Sequence, residues 1–250
     1  MRGTALVTGG GKRIGKALSM ALAGAGFDIA VHGHSLSADT NATLDAIRAL
    51  GRRAAFLAAD LSHEAEVATL VPRACEALGP LTLLINSASH FTDDRLGTAT
   101  RESWDAHFEP NLRAPIVLAQ AFAAQVRDEA SDPSIINLID QRVLKPNPQF
   151  FSYTLTKVAL FAATKTMAQA LAPRIRVNGI GPGPTLASVH QTEQTFAAEV
   201  AGTLLQRPSA PEEIARAALY LVDARTVTGQ MIAVDAGQHL TWRTPDILHD

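Results

Sequence analysis

Residues 7–18 read VTGGGKRIGKAL. An apolar run ends there, glycines follow, and a helical period begins, with Ile14, Ala17, Leu18, Ala21 and Leu22 on one face. Glycines permit a tight turn and let backbone N–H groups approach a phosphate closely. A helix N-terminus adds partial positive charge at the same point. A strand, a glycine turn and a helix, in that order at the chain start, predict a nucleotide-binding α/β arrangement. The spacing Thr8-Gly9, then Arg13 and Gly15, departs from the common G-x-G-x-x-G pattern.

The pattern repeats beyond this stretch. Apolar runs at 4–8, 27–33, 53–58, 81–86, 134–139, 174–180 and 230–234 are nearly continuous instead of alternating, as in strands covered on both faces. Helical periods lie between them at 14–25, 38–50, 63–78, 101–129, 152–171 and 211–223, with helix starts near Ser62 and Pro211. This alternation predicts a single doubly wound Rossmann-type α/β domain over 1–250, with a parallel sheet of about seven strands. The least regular piece, 181–199, begins with Pro-Gly after a strand's C-terminal end. It is expected to form a substrate lid over 181–205.

Composition narrows the function. A net charge of −2 and 47% hydrophobic residues exclude a disordered chain and a polybasic nucleic-acid binder. No apolar run reaches the ~20 residues of a membrane span. The first residues enter a strand at once, so no signal peptide is expected. The single cysteine, Cys75, is expected to pack against a helix and excludes an internal disulfide, so the reducing cytoplasm is the expected compartment. His90, His107, His190 and His239 have no metal-ligand spacing. They read as surface or loop residues, with His190 beside the lid, and no metal site is expected.

Chemistry is concentrated in IINLIDQRVLKPNPQFFSYTLTK, residues 135–157. Tyr153 and Lys157 are four apart on a helical period and so share a face. Asp140 follows the apolar strand 134–139. A carboxylate holds a nearby tyrosine proton on, while an ammonium eases its release.

Together, the glycine turn and Tyr153-x-x-x-Lys157 resemble the short-chain dehydrogenase/reductase family along nearly the whole chain. The resemblance assigns proton transfer to the Tyr153 hydroxyl. Lys157 lowers the tyrosine pKa and binds the nicotinamide ribose, and Asn111 holds that lysine through a water. It places the cofactor on Gly9, Lys12, Arg13, Ile14, Gly15, Asp60, Leu61, Asn86, Ser87, Ala88, Tyr153, Lys157, Pro182 and Gly183, with Asp60 at the adenine. The second strand ends in His32-Gly33-His34-Ser35, without the acid that binds a ribose 2′-hydroxyl in NAD enzymes. With Lys12 and Arg13 close by, His32, His34 and Ser35 are expected to favour NADP(H).

The family's usual serine before the tyrosine is absent, and Asp140 stands there. An ionised carboxylate cannot donate to a carbonyl and repels a developing oxyanion. Arg13, Asp140 and NSASHF at 86–91 resemble pteridine reductases and bacterial dihydromonapterin reductases. That resemblance implies a dihydropterin-like substrate against Phe91, Ser89, Arg13, Asp140, Tyr153 and the lid residue Leu186, in a homotetramer whose C-terminal tail reaches a neighbouring subunit. A carbonyl reductase acting on a 3-oxoacyl thioester or other ketone is the alternative. A non-catalytic NADP sensor is a second one, which the intact Tyr153–Lys157 pair disfavours.

Overall fold

The computed structural model describes residues 2–127, 131–188 and 191–244. Its strands are β1 (Gly3–Val7), β2 (Phe27–Gly33), β3 (Ala54–Ala58), β4 (Leu83–Asn86), β5 (Ser134–Leu138), β6 (Arg176–Pro182) and β7 (Met231–Val234). All pairs are parallel, in the order β3-β2-β1-β4-β5-β6-β7. The helices are α1 (Arg13–Gly24), α2 (Ala38–Ala49), α3 (Glu64–Leu78), α4 (Arg101–Phe108), α5 (Ala114–Gln125), α6 (Phe151–Leu171), α7 (Glu193–Ala201) and α8 (Pro211–Asp223).

Successive strand side chains point to opposite faces, which explains the continuous apolar runs. Leu6, Ala30, Leu84, Ile135 and Val177 face one core beneath α3, α5 and α6. Ala5, Val7, Ile29, Val31, Leu83, Ile85 and Ile136 face a second core beneath α1, α2 and α8. Each such leucine or isoleucine, taken fully out of water, contributes roughly 1.5–3 kcal/mol. This is the doubly wound architecture expected from the sequence. Among the described residues, no helix is long and apolar enough to cross a membrane, and no three His, Cys, Asp or Glu side chains gather as metal ligands do.

Two expectations are corrected, and one helix start is located. The helix expected over 101–129 is interrupted by a π-helical turn at Glu109–Arg113, where Pro110 has no N–H to donate back along the helix. Residues 128–130 lie outside the described segments. The irregular 181–199 contains a helix, α7, opened by a reciprocal cap in which Thr192 and Thr195 bond each other's backbone amides. The helix start near Ser62 falls at Glu64; the Ser62 hydroxyl and amide both donate to Asp60 Oδ1.

The strand order reverses between β1 and β4, so the loops after them diverge and leave a crevice at the strands' C-terminal ends. Thr8 pins the two loops together there: its Oγ1 accepts from the amides of Ser87 and Ala88 at 2.9 and 3.0 Å.

Candidate active site

The nucleotide end is built for close approach. Gly9 has φ +64°, and a Cβ there would press on the Ala88 backbone. At Gly15 a Cβ would lie 2.1 Å from the Gly9 carbonyl, so the turn closes only on glycine. The first turn of α1 has no acidic residue, and Lys12 offers no side-chain cap to its amides. Those amides and the exposed Lys12 form a site for an anion. Asn86 adds a buried Oδ1 with no partner among the described residues, while its Nδ2 donates to Asn137 Oδ1 at 2.9 Å. Exposed His34 and Ser35 stand at the end of β2. Asp60 Oδ2 lies 3.7 Å from His34 Nε2. Its Oδ1 holds Ser62, which keeps the carboxyl below the usual range.

Two sequence assignments here change. His32 is buried and uses both ring nitrogens inside the protein. Gly9 N–H donates to Nδ1 at 3.3 Å, so the proton sits on Nε2, 3.1 Å from the Ala59 carbonyl. Burial lowers its pKa. His32 therefore braces the glycine turn and has no nitrogen left for a phosphate. The Leu61 side chain is buried in the core, leaving its backbone as the part that a ligand could meet.

Arg13 opens α1 with φ +51°, a conformation costly for a side chain with Cβ. Its guanidinium donates to the carbonyls of Leu186 and Ala187 at 3.0 and 3.1 Å, so it ties the glycine turn to the lid. It faces a cavity of about 750 Å³ that also takes in Ile14, Ser87, Ser89, Phe91, Asp140, Tyr153, Lys157, Pro182, Gly183 and Leu186. Asp140, Tyr153 and Lys157 are thus brought together in one space with Arg13, Ser89 and Phe91, whereas Asn111 does not line it.

At its floor, β5 delivers Asp140 and α6 delivers Tyr153 and Lys157. The Tyr153 hydroxyl donates to Asp140 Oδ2 at 2.9 Å, and Oδ1 accepts the Arg142 amide at 2.8 Å. Asp140 is therefore both the partner of the tyrosine and the cap of the turn Gln141–Val143. Lys157 Nζ donates to the Leu138 carbonyl at 2.9 Å and lies 5.6 Å from the Tyr153 ring centre. Burial is the first cause of all three shifts. It raises Asp140, raises Tyr153 well above its ordinary value with help from the Asp140 charge and hydrogen bond, and lowers Lys157 to about 8. The tyrosine is held firmly in its protonated form.

Phe91 is placed by the loop after β4, edge-on to Tyr153 at 4.7 Å. Phe150, unremarked in the sequence, stacks on it at 4.2 Å and is held in a left-handed conformation, φ +52°. Asn111 sits in the π-helical turn and fastens that loop. Its Oδ1 accepts from Ser89 Oγ and His90 N–H, and its Nδ2 donates to the His90 carbonyl and Thr156. Sequence reasoning also missed Gln191 and Glu199, which with Phe196 are the lid's own contribution to the cavity wall. His190 lies outside the described residues. His107, read as a surface or loop residue, is completely buried on α4.

A doubly wound parallel sheet, a glycine turn at its switch point and a Tyr-x-x-x-Lys pair in the crevice define a class of nucleotide-dependent oxidoreductase. Residues 10–239 match the family model described as Enoyl-(Acyl carrier protein) reductase, and the chain belongs to the short-chain dehydrogenase/reductase family. Among solved structures it is similar to FolM alternative dihydrofolate reductase 1 from Brucella suis in complex with NADP, with 46% identity, TM-score 0.93 and 98% of each chain covered. The Brucella canis counterpart, also complexed with NADP, gives 45% identity, TM-score 0.91 and 98% of each chain. Pteridine reductase 1 of Leishmania tarentolae is 32% identical over 95% of this chain and 96% of its own length.

Proposed function

We propose that this chain is an NADPH-dependent reductase acting on the C=N bond of a dihydropterin-type substrate to give the tetrahydro form. The observation that carries the reading is the Tyr153 hydroxyl donating to Asp140 Oδ2 at 2.9 Å, where the family's serine would donate to a carbonyl. The similarity to NADP-bound FolM proteins and to a pteridine reductase supports it. So do the unfilled amides of α1, the orphaned Asn86 Oδ1 and the cations Lys12 and Arg13, which fit a phosphorylated dinucleotide.

NADPH, when bound, supplies the hydride that adds to the carbon of the C=N bond. Tyr153 gives its Oη proton to the nitrogen, and the phenolate left behind is stabilised by the adjacent Lys157 ammonium until solvent restores the proton. Asp140 keeps the proton on Tyr153 by accepting the hydroxyl's hydrogen, which turns to the substrate nitrogen for transfer, and its carboxylate suits N–H groups on the edge of a heterocycle. Phe91 offers a flat face to the ring, and the lid from Gly183 to α7 shields it from water. A ketone fares worse, because an oxygen gaining negative charge would meet the Asp140 carboxylate. The free Cys75 and the lack of a membrane-spanning helix among the described residues accord with a cytoplasmic enzyme.

The test measures NADPH oxidation against dihydrobiopterin, dihydromonapterin, dihydrofolate and an acetoacetyl thioester in parallel. Dihydropterin turnover is expected to dominate, and Asp140→Ser should lower it by about 10²–10⁴ while leaving or creating weak ketone reduction. Asp140→Asn should also impair turnover while keeping NADPH affinity. A turnover near wild type in Asp140→Asn, with only lower thermal stability, would reduce Asp140 to a loop cap and overturn the assignment.

A further inference from the structure

His107 is fully buried yet touches none of the cavity that holds the chemical residues. Both of its ring nitrogens have partners. Thr92 N–H donates to Nε2 at 3.2 Å, and an amide can only donate, so Nε2 carries no proton. The ring proton is then on Nδ1, which donates to Ser152 Oγ at 2.7 Å. Ser152 passes its own hydroxyl hydrogen to Asp94 Oδ2 at 2.5 Å, and Asp94 Oδ1 takes the Ser152 amide at 2.9 Å. Asp94 and Ser152 are buried as well. The ionisable groups facing the imidazole are Asp94, His90 at 5.0 Å between ring centres, and Tyr153 at 6.1 Å.

The ends of this chain matter more than its middle. Thr92 directly follows Phe91, and Ser152 directly precedes Tyr153. One imidazole thus joins the loop that presents the aromatic face to the helical turn that aims the hydroxyl. These elements are 61 residues apart in sequence, counting from Thr92 to Tyr153; Asp93 and Asp94 of the same loop bind the amides of Phe150, Phe151 and Ser152, and His107 adds the tie at Thr92.

We propose that His107 is a positioning residue, a neutral Nδ1–H imidazole that holds Tyr153 through Ser152 and Phe91 through Thr92 in one fixed register. The Tyr153 half rests on the proton-donor role proposed above. The hydrogen-bond assignment does not. Asparagine at 107 offers a polar group near the Nδ1 position and glutamine one near Nε2, so the two arms can be cut separately. His107→Gln keeps an acceptor for Thr92 and loses the Ser152 arm. It should lower kcat about tenfold with KM for dihydrobiopterin within about twofold of wild type. His107→Asn keeps the Ser152 arm and frees the Phe91 loop, which should raise KM about tenfold with kcat within about twofold.

Nitrogen-15 histidine spectra of the wild-type protein supply a readout that needs neither substrate nor a folded variant. They should show His107 as the Nδ1–H tautomer at neutral pH. An Nε2–H tautomer or a charged ring overturns the proposal. So do two variants that lose melting temperature alike while kcat and KM stay at wild-type values, and so do equal changes in kcat and KM. If wild type ignores every dihydropterin, the substrate reading fails, and the same split is read with the carbonyl substrate that it does turn over.

Discussion

Replacing Lys157 with methionine isolates what a buried ammonium costs this fold. Lys157 is 3% exposed, and its pKa falls from the ordinary 10.5 to about 8, burial being the main cause and the Asp140 charge opposing it. At about 1.36 kcal/mol per pH unit, the gap amounts to roughly 3 kcal/mol against the folded, charged form. The sign follows from the depressed value. The unfolded chain holds this proton more tightly, so the stabilising contribution is complete only above about pH 10.5 and is lost as pH falls through about 8. Methionine fills a similar volume without a charge. Subtracting the Lys157→Met curve from the wild-type curve removes the other titrating groups to first order. Between about pH 7.5 and pH 9.5 the wild type should gain about 2 kcal/mol on the variant, because native Lys157 discharges there while the unfolded lysine stays charged. Urea unfolding followed by circular dichroism, without nucleotide, measures this difference at each pH. Activity should move the other way: wild-type turnover declines on the alkaline side as the ammonium is lost, and Lys157→Met is inactive throughout. Parallel stability curves for the two proteins would refute the reasoning.

Arg13→Gly should weaken NADPH more than NADH in steady-state kinetics, while relief of the left-handed backbone offsets the lost lid contacts, so melting temperature holds or rises; equal losses for both cofactors would exclude a 2′-phosphate role. Arg176→Ala should cost about 3–5 kcal/mol in denaturant unfolding, because its buried guanidinium pairs with Asp132 and caps the carbonyls of Leu221, Val222 and Ala224 at the end of α8. Leu155 and Val158 are exposed on α6, and light scattering is expected to show a homotetramer. Deleting residues 241–250 removes the Thr241 contacts of Lys145 and should raise the substrate KM and loosen the assembly; a fully active monomer would defeat the idea.

How far the sequence could be read depended on the range of the interactions. Continuous apolar runs such as 27–33 are local signals, and the sheet they predict matches the fold. Tyr153 and Lys157 also share a helix, so their spacing alone placed them together. The histidines were misread because their burial is set by remote partners: His32 by the carbonyl of Ala59, His107 by Ser152, 45 residues away. Phe150 escaped notice because its value comes from a left-handed backbone that no propensity favours for phenylalanine. The α7 helix carried a legible signal in Thr192 and Thr195, masked by the Pro-Gly run before it. Asp140 was expected beside Tyr153; one of its oxygens accepts from the tyrosine, and the other caps the turn that follows.

The start of α6 also has an electrostatic consequence. Tyr153 lies in the first turn of a long helix, where the partial positive charge of unpaired amides would ordinarily favour a phenolate by up to about 2 kcal/mol. Here the amides of Phe150 and Ser152 are taken by the Asp93 and Asp94 carboxylates, and that of Phe151 by the Asp94 carbonyl. The positive end of the helix dipole is thus neutralised by side chains from another loop before the phenol can feel it. A tyrosine so insulated gives up its proton only when a nitrogen arrives to take it. On the proposed chemistry, the two aspartates, which do not line the cavity, help keep Tyr153 in its proton-bearing form until substrate arrives.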